Sequence, residues 1–194
     1  MLCLAATGGA RDAGAQALTL VPTATGNEAR YRVREQLARL SFPSDAVGRT
    51  TAVTGAIVFA ADGSIDRERS RFVIDLTTLA TDNQRRDGYV RRNTLVTDSF
   101  PTITLVPAAI RNLPWPLPPS GEGTFQLTGD LTLKGVTRPS TWHLFLQFSD
   151  TVVAGVASTR LTFADHNMTV PRVAMVLSVE DDIRLEYEFR LVKQ

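Results

Sequence analysis

The chain has 194 residues, 43% of them hydrophobic and 21% charged, which is enough to bury one sizeable core. Its net charge of +1 excludes a broad field of one sign that would draw in nucleic acid or an anionic surface in general. A lone cysteine, Cys3, excludes an internal disulfide, and two histidines with one distant cysteine do not make a four-ligand zinc site.

Residues 1–28 read as a leader. Met1–Ala10 is small and apolar, and Ala13–Ala17 carries the Ala-x-Ala pattern that a signal peptidase accepts, although no positive charge precedes the apolar run. The segment is either a truncated signal peptide or a disordered Ala/Gly-rich start. Nowhere does the chain approach the ~20 consecutive apolar residues of a spanning helix, so no integral membrane segment is expected.

From residue 29 to 194 the chain is expected to form one domain of short alternating runs broken by turn residues, the rhythm of a β sandwich or barrel. Tyr31 and Val33 open a first strand, Pro43, Ser44, Asp45 and Gly48 interrupt, and Thr51–Ala60 forms a second. In the third, Phe72, Ile74 and Leu76 share one face with Ser70 and are expected inward. The convincing helical stretch is Asp82–Arg92, capped by Thr81 or Asp82 and weakened by Gly88.

Further strands are expected over Thr102–Ile110, Thr124–Leu133, Val136–Phe148, Val152–Phe163, Val173–Val179 and Ile183–Val192. Between the first two of these, Pro114, Pro116, Pro118 and Pro119 withhold ladder donors, so Asn112–Gly121 is an extended surface loop. In Gly129–Pro139, Leu131 and Leu133 alternate with Thr132 and Lys134, Gly135 supplies the positive φ of a turn, and Val136 restarts the pattern.

Alternation then gives an inward set: Phe72, Ile74 and Leu76; Ile103 and Leu105; Phe125, Leu127, Leu131 and Leu133; Trp142, Leu144 and Leu146; Met175 and Leu177; Leu185, Tyr187 and Phe189. Periodicity does not distinguish a filled core from the wall of a ligand cavity. For catalysis there is no Gly-x-Ser-x-Gly elbow, no His-Glu-x-x-His and no phosphate-cradling glycine loop, and the chain is not expected to be an enzyme. His143 alternates to the outer face, while the turn residues around His166 explain it without a metal.

Read together, Gly129–Pro139, Ser70–Leu79, Arg86-Asp87 and Phe100–Leu105 have an order and spacing that resemble the YceI-like, lipocalin-like polyisoprenoid-binding proteins, over about residues 29–192. The resemblance implies an all-β, lipocalin-like antiparallel barrel of about eight strands with one short capping helix. It implies non-enzymatic binding, transport or storage of an isoprenoid or similar elongated apolar lipid, in the periplasm or outside the cell.

On this reading the inward set, Leu133 apart, lines a tunnel for a polyisoprenoid lipid or prenyl quinone, with no other cofactor. Arg85, Arg86, Arg91 and Arg92 are then candidates for an anionic or polar head group. A homodimer is compatible with the resemblance, and a filled barrel acting as a protein-interaction module is the alternative. The sequence departs from many relatives at Asp165-His166-Asn167, where they carry an Asp-Phe-Gly-like turn, and a more open or more polar tunnel end is expected there.

Overall fold

A computed structural model describes residues 17–194. Its strands are β1 (Leu18–Pro22), β2 (Glu28–Leu37), β3 (Ser44–Thr50), β4 (Val53–Phe59), β5 (Arg71–Asp75), β6 (Thr102–Arg111), β7 (Gly121–Leu133), β8 (Val136–Phe148), β9 (Val152–Leu161) and β10 (Val176–Lys193). All pairings are antiparallel, and the sheet runs β1-β4-β5-β6-β7-β8-β9-β10-β2-β3 with β1 also paired to β10.

That pattern is an eight-stave, up-and-down barrel. β1 and β2 lie in succession along β10, β3 and β4 lie in succession along β2 and β1, and each pair acts as one bent stave. The β1–β10 and β1–β4 pairings close the ring, and among the described residues the outer edge of β3 is paired only through the bridge between Arg49 and Ala80. Asn27 holds the first bend: its amide donates to Thr23 O at 2.8 Å and its Oδ1 accepts from Tyr187 Oη at 2.8 Å and Arg190 N at 3.2 Å.

The hairpin between β7 and β8 is the tightest in the ring. Leu133 pairs Val136 across two residues, and Lys134 and Gly135 both have positive φ (49° and 74°), the geometry whose twist matches that of the strands. Gly135 is also required by space, because a Cβ there would lie 2.8 Å from the Phe100 ring.

Four expectations need correction. The sheet takes in Leu18–Pro22, so the last part of the expected leader is a strand, with Leu18 and Leu20 alternating about Thr19; residues 1–16, including Cys3, lie outside the described residues. Ser44–Thr50, expected as an interruption, is β3, whose inward residues Ala46, Gly48 and Thr50 are too small to register as a hydrophobic alternation.

The expected strands Val173–Val179 and Ile183–Val192 are one strand, β10, with register shifts between Val176 and Ser178 and between Val179 and Ile183. These bulges defeat simple alternation. Val176, Val179 and Ile183 therefore face the interior, while Leu177, expected inward, is 68% exposed and Met175 is 50% exposed. Finally, the helical segment is α1 (Gln84–Tyr89) followed by a π-helical turn, Val90–Leu95, and its cap is Asn83, not Thr81 or Asp82. Asn83 Oδ1 accepts from Arg85 N at 2.9 Å and Arg86 N at 3.3 Å.

Candidate functional site

The barrel interior is divided. Towards α1 lies a cavity of about 680 Å³, and towards the Pro-rich loop the space shrinks to about 70 Å³. Trp142 and Tyr187 border both and form the partition. The Tyr187 hydroxyl is fixed by Asn27, and burial pushes its pKa up, so the ring stands as a neutral, anchored wall.

The expected lining splits accordingly. Ile74, Leu76, Ile103, Trp142, Met175, Leu185 and Tyr187, with Leu133, border the wide cavity. Phe72, Leu105, Leu127, Leu144, Leu146 and Phe189 border the small void instead, beside Trp142 and Tyr187. Phe125 packs against the core with its ring 6.0 Å from that of Phe148, and Leu131 is buried at 2% exposure, but neither reaches the wide cavity. Leu177 faces out. The interior is therefore not one through-tunnel. The packed half is closed by Trp115, which stacks on Phe59 at 5.3 Å and donates from Nε1 to Ala61 O at 2.8 Å.

The wide cavity also has walls that alternation over the later strands did not reach. β2 contributes Tyr31, Val33 and Glu35 from its inner face, the helical segment contributes Tyr89, Val90, Thr94 and Leu95, and Phe163 and Met168 close it near the end of β9. The β2 residues were readable, since Tyr31, Val33 and Glu35 share one period-two face; only the charge of Glu35 argued against it. Gly48 on β3 makes room for Tyr31: a Cβ there would lie 2.2 Å from the Tyr31 ring.

The polar groups gather on the helix side. Glu35 meets Arg86 at 2.5 Å with side chains only 8% and 19% exposed, and Asp82 meets the same guanidinium at 2.6 Å. Arg86 is thus compensated twice, by Glu35 and Asp82 and not by its neighbour Asp87. Asp87 is buried and accepts from Thr81 N at 2.9 Å and Thr81 Oγ1 at 2.6 Å, tying α1 to the loop that leads into it.

Arg91 donates to Leu79 O at 3.2 Å, Arg92 is exposed beside Gly88, and of the four arginines only Arg85 and Arg86 border the cavity. Two hydroxyls in the cavity wall, Tyr31 Oη and Thr94 Oγ1, are buried without a hydrogen-bond partner. Burial, partly offset by Arg86, pushes the Tyr31 pKa up to about 12, so this phenol is a neutral donor at ordinary pH.

The opening lies where exposed residues border the cavity: Arg39 after β2, Asn83 and Arg85 on the helical segment, and Val173 and Met175 before β10. At the Asp165-His166-Asn167 turn, where a more open or more polar end was expected, the wall is closed around a buried polar side chain. His166 is 2% exposed with Nδ1 3.1 Å from Val136 O, and Lys134 Nζ donates to Asn167 O at 2.9 Å. Among the described residues no group of three His, Cys, Asp or Glu side chains is placed to hold a metal ion, and no helix is long and apolar enough to cross a membrane.

A closed antiparallel barrel with a helix beside an apolar interior cavity defines a lipocalin-like architecture. The chain belongs to the family of the YceI-like domain, whose model matches residues 25–191. Among solved structures it is similar to a polyisoprenoid binding domain from Saccharophagus degradans implicated in plant cell wall breakdown, at 14% identity and TM-score 0.66, covering 91% of this chain and 98% of that one. It is also similar to Burkholderia cenocepacia BcnA, at 17% identity and TM-score 0.60, covering 86% and 95%. A third is the Campylobacter jejuni YceI protein, at 16% identity and TM-score 0.61, covering 82% and 91%. A comparison with curated protein sequences finds no match.

Proposed function

We propose that this protein is a non-enzymatic carrier or store for an isoprenoid or similar elongated apolar lipid, held in the wide half of the barrel. The observation that carries this reading is the cavity of about 680 Å³ walled by Val33, Ile74, Ile103 and Leu185, which falls within the ~300–1,000 Å³ typical of small-molecule sites. Membership of the YceI-like family supports it, as does the likeness to a domain described as polyisoprenoid-binding.

Each buried methylene contributes on the order of 0.8 kcal/mol, so a prenyl chain is held with few polar contacts. Its oxygen-bearing end meets the hydroxyls of Tyr31 and Thr94, which have no hydrogen-bond partner among the described residues of the protein. With Arg86 already compensated by Glu35 and Asp82, an end buried beside Tyr31 and Thr94 is favoured when neutral, as in a quinone or alcohol, whereas Arg39 and Arg85 stand at the mouth, unpaired among the described residues. The same reading places the protein in the periplasm or outside the cell, as the family resemblance implies.

Native mass spectrometry of gently purified protein, followed by organic extraction, tests the proposal. One retained prenyl lipid per chain is expected. A clean apo mass, unchanged after incubation with prenyl quinones and prenyl alcohols, would instead favour a protein-interaction barrel.

A further inference from the structure

The cavity mouth carries an apolar surface that the binding of a ligand inside does not need. Among the described residues seven large apolar side chains are exposed, and five of them, Leu40, Phe42, Val173, Met175 and Leu177, fall on two short segments. The segments are joined: Ala38 N donates to Met175 O at 3.0 Å, and Val176 pairs Leu37. Phe42, at 79% exposure, and Leu177, at 68%, are the least covered. Scattered single apolar residues are ordinary on a surface, but five side chains gathered beside one opening are a patch.

The charges beside the patch are mixed, with arginine in excess: exposed Glu180 follows Leu177 on β10, and three arginines stand around the mouth. Arg39, Arg85 and Arg172 are exposed, and none makes an ion pair with another described residue. Nearby Asp45 and Asp82 are engaged by Arg34 and Arg86. Apolar side chains flanked by arginine fit a bilayer interface, where the former enter the acyl boundary and the latter meet anionic head groups. A second copy meeting this face in a symmetric dimer would bring the same arginines together, which opposes self-association.

We infer that the Leu40–Phe42 and Val173–Leu177 rim docks on an anionic lipid surface and presents the mouth to the bilayer. The inference rests on the carrier reading for its purpose; the docking itself does not require cargo. The test is co-sedimentation of the full chain with vesicles of phosphatidylglycerol and phosphatidylcholine, compared with phosphatidylcholine alone, at low and high salt. Binding to the anionic vesicles that weakens in salt is expected, and Phe42→Asp with Leu177→Asp should lower it about tenfold or more, since two apolar anchors are lost from the interface.

Both side chains are exposed, so circular dichroism should show an unchanged fold. Ile103→Trp, which fills the cavity, should dock as the wild type does; loss of docking in that variant would mean that the cavity, not the rim, engages lipid, and would overturn the inference. So would docking that survives the double substitution, or a dimer that the double substitution dissolves without any vesicle binding. Docking by a protein that takes up no prenyl lipid would leave this inference standing and remove the carrier reading.

Discussion

The two halves of the barrel share staves, hydrogen-bond ladders and a partition, yet one holds a cavity of about 680 Å³ and the other about 70 Å³. Side-chain size makes the difference. The packed half is filled by Phe59, Phe72, Phe148 and Phe189 with Leu144 and Leu146, then sealed by Trp115. The wide half is walled along β3 by Ala46 and Thr50, with Gly48 between them, and accepts polar groups that the packed half lacks: Glu35 with Arg86, and the hydroxyls of Tyr31 and Thr94. A closed barrel thus secures stability at one end while leaving the other underfilled, and the two functions are separable by substitution.

The largest expected effect is on stability in the packed half. Phe59, 1% exposed and stacked on Trp115, should cost about 3–5 kcal/mol when replaced by Ala, because the surrounding side chains cannot collapse into the hole. Leu185→Ala, in a cavity wall, should cost less than the ~2 kcal/mol lower end of Leu→Ala losses, since space is already open beside it. Urea unfolding measures both. Equal losses would break the comparison.

Ligand retention should respond in the reverse order. Ile103→Trp projects into the wide cavity and should weaken prenyl-lipid binding at least about a hundredfold, or ~2.7 kcal/mol, read by titration or native mass spectrometry. Leu144→Trp sits beyond the Trp142 and Tyr187 partition. It should retain lipid while losing about 1–3 kcal/mol of stability from overpacking. Loss of binding in Leu144→Trp would show that the partition opens and that a ligand threads the whole barrel.

Most of the fold was legible in the sequence because most staves alternate cleanly; β8 was read with its observed limits, Val136–Phe148. What escaped has physical causes. β3 escaped because Ala46, Gly48 and Thr50 leave an inner face without large apolar residues, their space being taken by the Tyr31 ring. Leu177 was placed on the wrong face because two bulges reset the phase of β10, which no period-two count registers.

The cavity's position was less legible still. Alternation reports which side chains face inward, and not whether the sum of their volumes fills the space they enclose. Nor does it pair Arg86 with Glu35, fifty-one positions away in sequence, whereas a partner such as Asp87 is suggested by adjacency alone.

The smallest effect separates the two roles at a single atom. Tyr31→Phe removes a buried hydroxyl that has no hydrogen-bond partner among the described residues of the protein, so stability near neutral pH should be unchanged or slightly raised. If the oxygen-bearing end of a prenyl quinone or alcohol meets this hydroxyl, the same change should weaken its binding by about 0.5–1.5 kcal/mol, and leave a plain hydrocarbon analogue unaffected.

The variant also carries a pH signature. With its pKa raised by burial from 10.0 to about 12, Tyr31 keeps its proton in the native state where the unfolded chain has lost it. Tyr31 therefore leaves native stability independent of pH below about 10 and lowers it as pH rises toward 12. Tyr31→Phe should flatten that decline, though not abolish it, because buried Tyr187 titrates in the same direction. Urea midpoints measured across this alkaline range would settle the point: parallel declines in wild type and variant would mean that the Tyr31 hydroxyl already has water as a partner and is not held in reserve for a ligand.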